Sequence, residues 1–320
     1  MTKSRGVILL NMGGPNSLKA VRPFLYNLFS DREIIPLGPP FLQKFIAWMI
    51  ARKRAPISQE TYRKIGGASP LERITRAQAK ALEKNLCQEG EDWHVSIAMR
   101  YWPPYADEAL DEMLANKVED ITAVSLYPHY TKATTGSSLN HLRAAMTRRK
   151  INIPLRVVES WPEEPGYIYT LAEGIKKTLV EMKEKTSEEI TVVYSAHSLP
   201  VSFIQEGDPY VEHLKQTIAE VEKQTEVTGI LCFQSRSGPV EWLAPSTPET
   251  VNRLAAEGCK AMVMVPISFV SDHVETLYEI DMLYRSQAED LGMVFASTPS
   301  LNTDARFIDA LASLVKKAPL

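Results

Sequence analysis

The sequence predicts an α/β protein: two Rossmann-like, doubly wound domains, each with a parallel four-stranded sheet, and a cleft between them. Three observations lead there. Eight short apolar runs alternate with stretches of helical spacing along all 320 residues. Those runs are continuous Val, Ile, Leu and Met rather than alternating apolar and polar, as in parallel strands covered by helices on both faces. They also divide four and four about one long helical stretch near 165–185, which gives expected domains of 1–164 and 165–320. No strong sequence repeat relates the two halves.

The expected strands are Val7–Leu10, Val95–Met99, Ile121–Tyr127, Leu155–Glu159, Ile190–Ala196, Gly229–Phe233, Ala261–Ile267 and Met293–Ala296. Between the first two, Val21, Phe24, Leu25 and Leu28 recur at helical spacing. A further helix opens at "SPLER", with Ser69 as N-cap, Pro70 at the first helical position and Glu72 completing a capping box; Gly90 is placed to stop it. In open α/β sheets ligands bind beyond the carboxyl ends of the strands, so those ends are where chemistry is sought.

The first strand ends in "NMGGP", where Gly13 and Gly14 permit a sharp turn and a close backbone approach; Met12 beside them suits either core or an apolar ligand. No G-x-G-x-x-G or Walker-type G-K-S/T occurs, which counts against a nucleotide enzyme. The second strand ends in Arg100 and Tyr101, where a guanidinium suits a carboxylate or an ordinary salt bridge. After the third, Gly136, Ser137 and Ser138 precede a helix and read as its cap or as a contact.

The fifth strand ends at His197, whose imidazole can take a proton near neutrality or bind a divalent ion. The seventh runs into "VPISFVSDHVETLYEID". There Asp272 and Glu275 fit a capping box, yet His273 and Glu275 also stand at a helix N-terminus beside the strand end, where a carboxylate stays ionised. His and carboxylate without thiolates suit a divalent metal, and two protein ligands suit an ion in transit.

Charge is near balance, 36 Lys and Arg against 39 Asp and Glu, so nothing points to nucleic acid. The apolar run at the N-terminus is too short for a signal peptide or a membrane span. Three separated cysteines, Cys87, Cys232 and Cys259, fit reduced thiols in a cytoplasmic protein. One stretch stands apart: "PPFLQKFIAWMIARKR" sets Phe41, Leu42, Phe45, Trp48 and Met49 ahead of Arg52, Lys53 and Arg54. It reads as a core helix, a membrane-touching face or the lip of a pocket for a large flat ligand.

Taken together, "LLNMGGP", "LFSDREI", "YRKIGGASPL", "RYWPP", "TTGSSLN", "YSAHSLP", "GDPY", "FQSRSGPVEWLAPST" and "PISFVSDHVETLYEID" resemble the ferrochelatases, which insert ferrous iron into a porphyrin. The resemblance runs through nearly the whole chain. It implies that His197 and Glu275 face the metal and do the chemistry, that His273 and Asp272 form a proton path, and that Phe269 lines the pocket. It also implies porphyrin contacts at Met12, Arg100, Tyr101, Tyr127 and Trp242. Tyr62 and Ser69 would lie near the propionates, and Leu28 and Phe29 in the mobile lip.

Some members hold an iron–sulfur cluster through C-terminal cysteines and one internal cysteine. Here the chain stops at Leu320 and the internal position is Lys132, so no cluster and no permanent cofactor are expected, with Fe(II) as substrate. Relatives that use coproporphyrin tend to carry tyrosine where Met12 stands, so protoporphyrin IX is the expected substrate; coproporphyrin III, or a non-catalytic haem carrier, are the alternatives. A cytoplasmic monomer, with peripheral membrane contact as one reading of the apolar stretch, completes the expectation.

Overall fold

The computed structural model describes residues 3–236, 238 and 240–319; Ser237 and Pro239 of the "FQSRSGPVEWLAPST" motif lie outside the described residues. All eight expected strands form. In the first unit β1 (Ser4–Asn11), β2 (Asp92–Met99), β3 (Asp120–Ser125) and β4 (Leu155–Val158) make a wholly parallel sheet in the order β2-β1-β3-β4. In the second unit β5 (Ile190–His197), β6 (Gly229–Gln234), β7 (Ala261–Pro266) and β8 (Val294–Ser297) repeat that order as β6-β5-β7-β8. The halves thus share a topology that their sequences do not advertise.

Of the central strands, β3 and β7 are buried at every residue, and β1 and β5 over most of their length. Ile8, Leu10 and Ala123 pack against Leu110 and Leu142 of the flanking helices in the first unit. Val193, Met262 and Met264 do the same with Val251 and Tyr284 in the second. Each such aliphatic side chain contributes about 1.5–3 kcal/mol by leaving water, and this term holds helix to sheet.

The first unit comprises Met1–Trp161 together with Asn302–Leu320, and the second Pro162–Leu301. The first unit is thus discontinuous, with residues 302–320 returning to it. The cause is packing. The helix Ala305–Lys317 buries Phe307 against Trp161, with ring centroids 6.0 Å apart. Its neighbourhood is tied to the helix Leu71–Leu86 by Gln78 donating to the Asn302 carbonyl and Asn85 donating to Asp309.

The capping box expected at Ser69 and Glu72 does not form. The Ser69 backbone N–H already donates to the Pro15 carbonyl at 2.8 Å, so it needs no acceptor from Glu72, which pairs with Arg76 at 2.8 Å. The helix begins at Leu71, whose N–H reaches Ser69 Oγ at 3.3 Å, and the chain leaves its end through Gly90 at φ +76°. Glycine is needed at Gly14 for a reason of its own: a Cβ there would lie 2.4 Å from Ser69 Oγ.

Candidate active site

In the order β6-β5-β7-β8 the chain direction of winding reverses between β5 and β7, and it is at such a reversal that loops part and leave a crevice. His197 is the last residue of β5 and Glu275 opens the segment after β7. The His197 backbone is held on both sides, its N–H donating to Ser268 Oγ at 3.1 Å and its carbonyl accepting from the Tyr210 hydroxyl at 3.0 Å. Its Nδ1 lies 2.8 Å from Glu275 Oε2. The carboxylate is 14% exposed and the imidazole 38%, so one partner is sheltered while the other meets solvent.

Glu275 does not cap its helix. Residues Glu275–Tyr284 are π-helical, a rare widening that concentrates at functional sites. The His273 N–H donates instead to Thr276 Oγ1, while Thr276 Oγ1 lies 3.3 Å from Asp272 Oδ1. The Glu275 side chain is thereby released towards His197, which overturns the capping reading of Asp272 and Glu275.

Three further polar residues complete the constellation, none of them singled out from the sequence. Gln234, last in β6, donates from Nε2 to Glu275 Oε2 at 3.4 Å and accepts from Ser195 Oγ at 2.6 Å. The Ser235 hydroxyl lies 2.6 Å from Glu275 Oε2 and 2.7 Å from Glu279 Oε2. A hydroxyl carries one proton, so it donates to one carboxyl group and accepts from the other, which must then be protonated. Glu279 is that group: burial and the neighbouring Glu275 charge push its pKa up, so it keeps a proton where an ordinary carboxylate would not. The Tyr284 hydroxyl donates to the same Glu279 oxygen at 3.3 Å.

For Glu275 burial acts upward, but the charge and hydrogen bond of His197, with His273 and Ser235, carry its pKa well below the carboxylate range. For His197 burial acts downward, and the charge and hydrogen bond of Glu275 outweigh it, so its pKa is raised. Its partly exposed ring makes the burial penalty incomplete, which favours the same direction. His273 goes the other way. It is 6% exposed, burial lowers its pKa, and its Nδ1–H donates to the Ser271 carbonyl at 3.1 Å. That bond fixes the tautomer and leaves Nε2 a bare acceptor, 3.8 Å from Glu275 Oε1. Two acceptors facing each other across that distance suit a proton or cation between them.

The Phe269 ring lies against that of His273, centroids 4.2 Å apart and planes tilted by 56°. Asp272 lines a cavity of about 390 Å³ with Thr276, Asp281, Arg285 and Ser297. Trp242 is half-buried, and its backbone bridges to Pro200, three residues after His197. Among the described residues no three His, Cys, Asp or Glu side chains converge in metal-holding geometry, so His197 and Glu275 stand as two donors rather than a closed shell.

In the first unit the equivalent reversal lies between β1 and β3. There the Met12 N–H is shared by Asn11 Oδ1 at 2.8 Å and the Tyr127 hydroxyl at 3.0 Å, and Met12 as a whole is half-buried. Arg100 and Tyr101 belong to one buried knot: Asp31 Oδ2 accepts from Arg100 Nη2 at 2.8 Å, from the Tyr101 hydroxyl at 2.8 Å and from Ser137 Oγ at 2.6 Å. Tyr101 is 2% exposed and Tyr62 6%, so both are wall rather than surface. Ser69 and Leu28 are half-buried and Phe29 is buried. A second π-helical segment, Lys132–Gly136, follows β3 as the long one follows β7.

A family model described as ferrochelatase matches residues 4–318. The ferrochelatase of Desulfotalea psychrophila is 60% identical over 310 residues, covering 97% of this chain and 96% of that protein. The ferrochelatase of Geobacter metallireducens is 50% identical over 320 residues and covers 99% of each. Among solved structures, SirB from Bacillus subtilis with Fe3+ superposes with a TM-score of 0.53 at 10% identity, covering 98% of this chain and 95% of that one. CbiX, the terminal enzyme for biosynthesis of siroheme in denitrifying bacteria, gives 0.53 at 11% identity with 99% and 100% covered. At such low identity these two carry the fold alone.

Proposed function

Because the chain belongs to the ferrochelatase family, we propose that His197 and Glu275 are the groups through which it works. A ferrochelatase inserts ferrous iron into a porphyrin, in haem biosynthesis, and two pyrrole protons must leave as one divalent ion enters. His197 takes the pyrrole protons, for which its ring must be neutral. Glu275 attracts the cation and passes protons on towards His273 and Asp272, the latter facing a polar cavity where water can receive them. The observation that carries this reading is the 2.8 Å contact of His197 Nδ1 with Glu275 Oε2 at the β5/β7 reversal.

Met12 favours protoporphyrin IX, the family resemblance linking tyrosine at that position to coproporphyrin. Leu28, Phe29, Tyr62, Ser69, Arg100, Tyr101, Tyr127, Trp242 and Phe269 are the proposed porphyrin contacts or walls. A resident cluster is not part of this reading. Cys232 is buried beside Thr247, its thiol pushed up to about 11, which is poor preparation for a metal thiolate. Phe41 at 82% exposure and Phe45 at 58%, with Trp48 and Met49 beside Lys44, Arg52 and Lys53, support peripheral contact with an anionic membrane surface. No helix among the described residues is long and apolar enough to cross one. The pair is formed within one chain, which supports a monomer as the working form.

The test is anaerobic mixing of protein, porphyrin and Fe(II) or Zn(II) while porphyrin fluorescence is followed. His197→Ala should slow insertion by about 100-fold or more, the usual worth of a positioned base, with porphyrin binding retained. Turnover near that of the native chain would refute the assignment. Protoporphyrin IX and coproporphyrin III, compared in the same assay, decide the substrate.

A further inference from the structure

The end of β6 supplies Gln234 and Ser235 to the site, and neither has yet been given a role in the reaction. There Ser235 follows Gln234 and adopts φ +64°, the left-handed region that a serine enters only under constraint. Its hydroxyl reaches both acidic residues of the π-helical segment, Glu275 and Glu279. The two oxygens of Glu275 are unlike. Oε2 accepts from His197 Nδ1 at 2.8 Å, Ser235 Oγ at 2.6 Å and Gln234 Nε2 at 3.4 Å, so its lone pairs are spoken for. Among the described residues Oε1 faces His273 Nε2, an acceptor, at 3.8 Å.

We infer that Ser235 is a positioning residue: its hydroxyl pins Oε2 of Glu275 between the end of β6 and Glu279, so that Oε1 is the oxygen presented to the incoming ion. This rests on the reading of His197 and Glu275 given above. A carboxylate free to turn about its last bond would exchange its oxygens and spend part of its time with both engaged by protein donors. Fixing one oxygen removes that freedom before the reaction begins. The strained backbone has the same explanation, because a relaxed φ at position 235 would carry the hydroxyl off the carboxylates, and strain that persists at a site is commonly part of its function.

Glycine tests this cleanly, since Ser235→Gly removes the hydroxyl and relieves the left-handed backbone together. The expected result is a melting temperature equal to or above that of the native chain, a kcat for Zn(II) insertion at least tenfold lower, and an unchanged KM for porphyrin. Ser235→Ala, which keeps the strain, should lose activity to the same degree. Native kcat in either variant, or a loss of activity that merely follows a fall in melting temperature, overturns the inference. Glu275→Gln run alongside separates the two levels. If it inserts metal at the native rate, the reading of the pair fails and takes this inference with it. If it is inactive while Ser235→Gly is not, only the role of Ser235 fails.

Discussion

His197 can accept a proton only while unprotonated, and Glu275 sets the pH at which that holds. Its raised pKa means the ring stays charged to higher pH than a free imidazole, so activity should be complete above the raised value and fall as pH drops through it. The acid limb of kcat is therefore expected above the ordinary value of about 6.5. In Glu275→Gln the charge that lifts it is gone and burial remains, so the His197 titration, followed by NMR of the imidazole, should move downward. An unmoved titration would show that the pair is not coupled. Asp31 offers the opposite sign. Burial raises its pKa, but Ser137, Arg100, the Glu33 N–H and Tyr101 together carry it below 3.8. Its contribution to stability is full above that value and is lost as pH falls through the lowered one. Asp31→Ala would leave Arg100 unpaired in a site where its side chain is only 23% exposed. A cost of about 3 kcal/mol is expected, read as a lower denaturation midpoint at unchanged m-value. The place of His197 at a strand end was legible in the sequence, because a continuous apolar run stops there. Ser235 and Gln234 sit at one too, but serine and glutamine after a strand are common turn residues, and only the fold brings them to a carboxylate from a distant segment.

At the scale of elements, continuous apolar runs made the strands legible within three residues at either end. The helix starts were less so: a cap is a competition for backbone donors, and at Ser69 the Pro15 carbonyl wins it. The segment Glu275–Tyr284 reads as an ordinary helix from its spacing, because the apolar face looks the same whether the turn is α or π. The helix Gln43–Lys64 tests a different point. Its buried stripe of Ala47, Ala51 and Ala55 faces inward while Phe45, Trp48 and Met49 remain exposed, so the aromatic side contributes little to the fold. Replacing Phe41 and Phe45 together by Ser should lower co-sedimentation with anionic vesicles several-fold and leave the melting temperature within a degree or two. Unchanged co-sedimentation would remove the case for membrane contact.

For the molecule as a whole, the sheet order and the π-helical segment after the third strand of each unit are common to both halves. Strand order lives in which edges pair, which no single run of residues records, and so it was absent from the sequence reading. The same holds for the helix Ala305–Lys317. Its amphipathic pattern says that one side is buried but not which sheet or helix buries it. Phe307→Ala should therefore destabilise the first unit, by about 3–5 kcal/mol, with hydrogen exchange quickening in Leu71–Leu86 rather than in β5 or β7.

That return of residues 302–320 to the first unit also orders events during synthesis. Domains on a ribosome ordinarily mature from the N-terminus. Here the half that is translated first must wait for the last helix of the chain, while the half that carries His197 and Glu275, being uninterrupted, has all its parts in hand sooner. The later-made half is thus the one free to finish earlier.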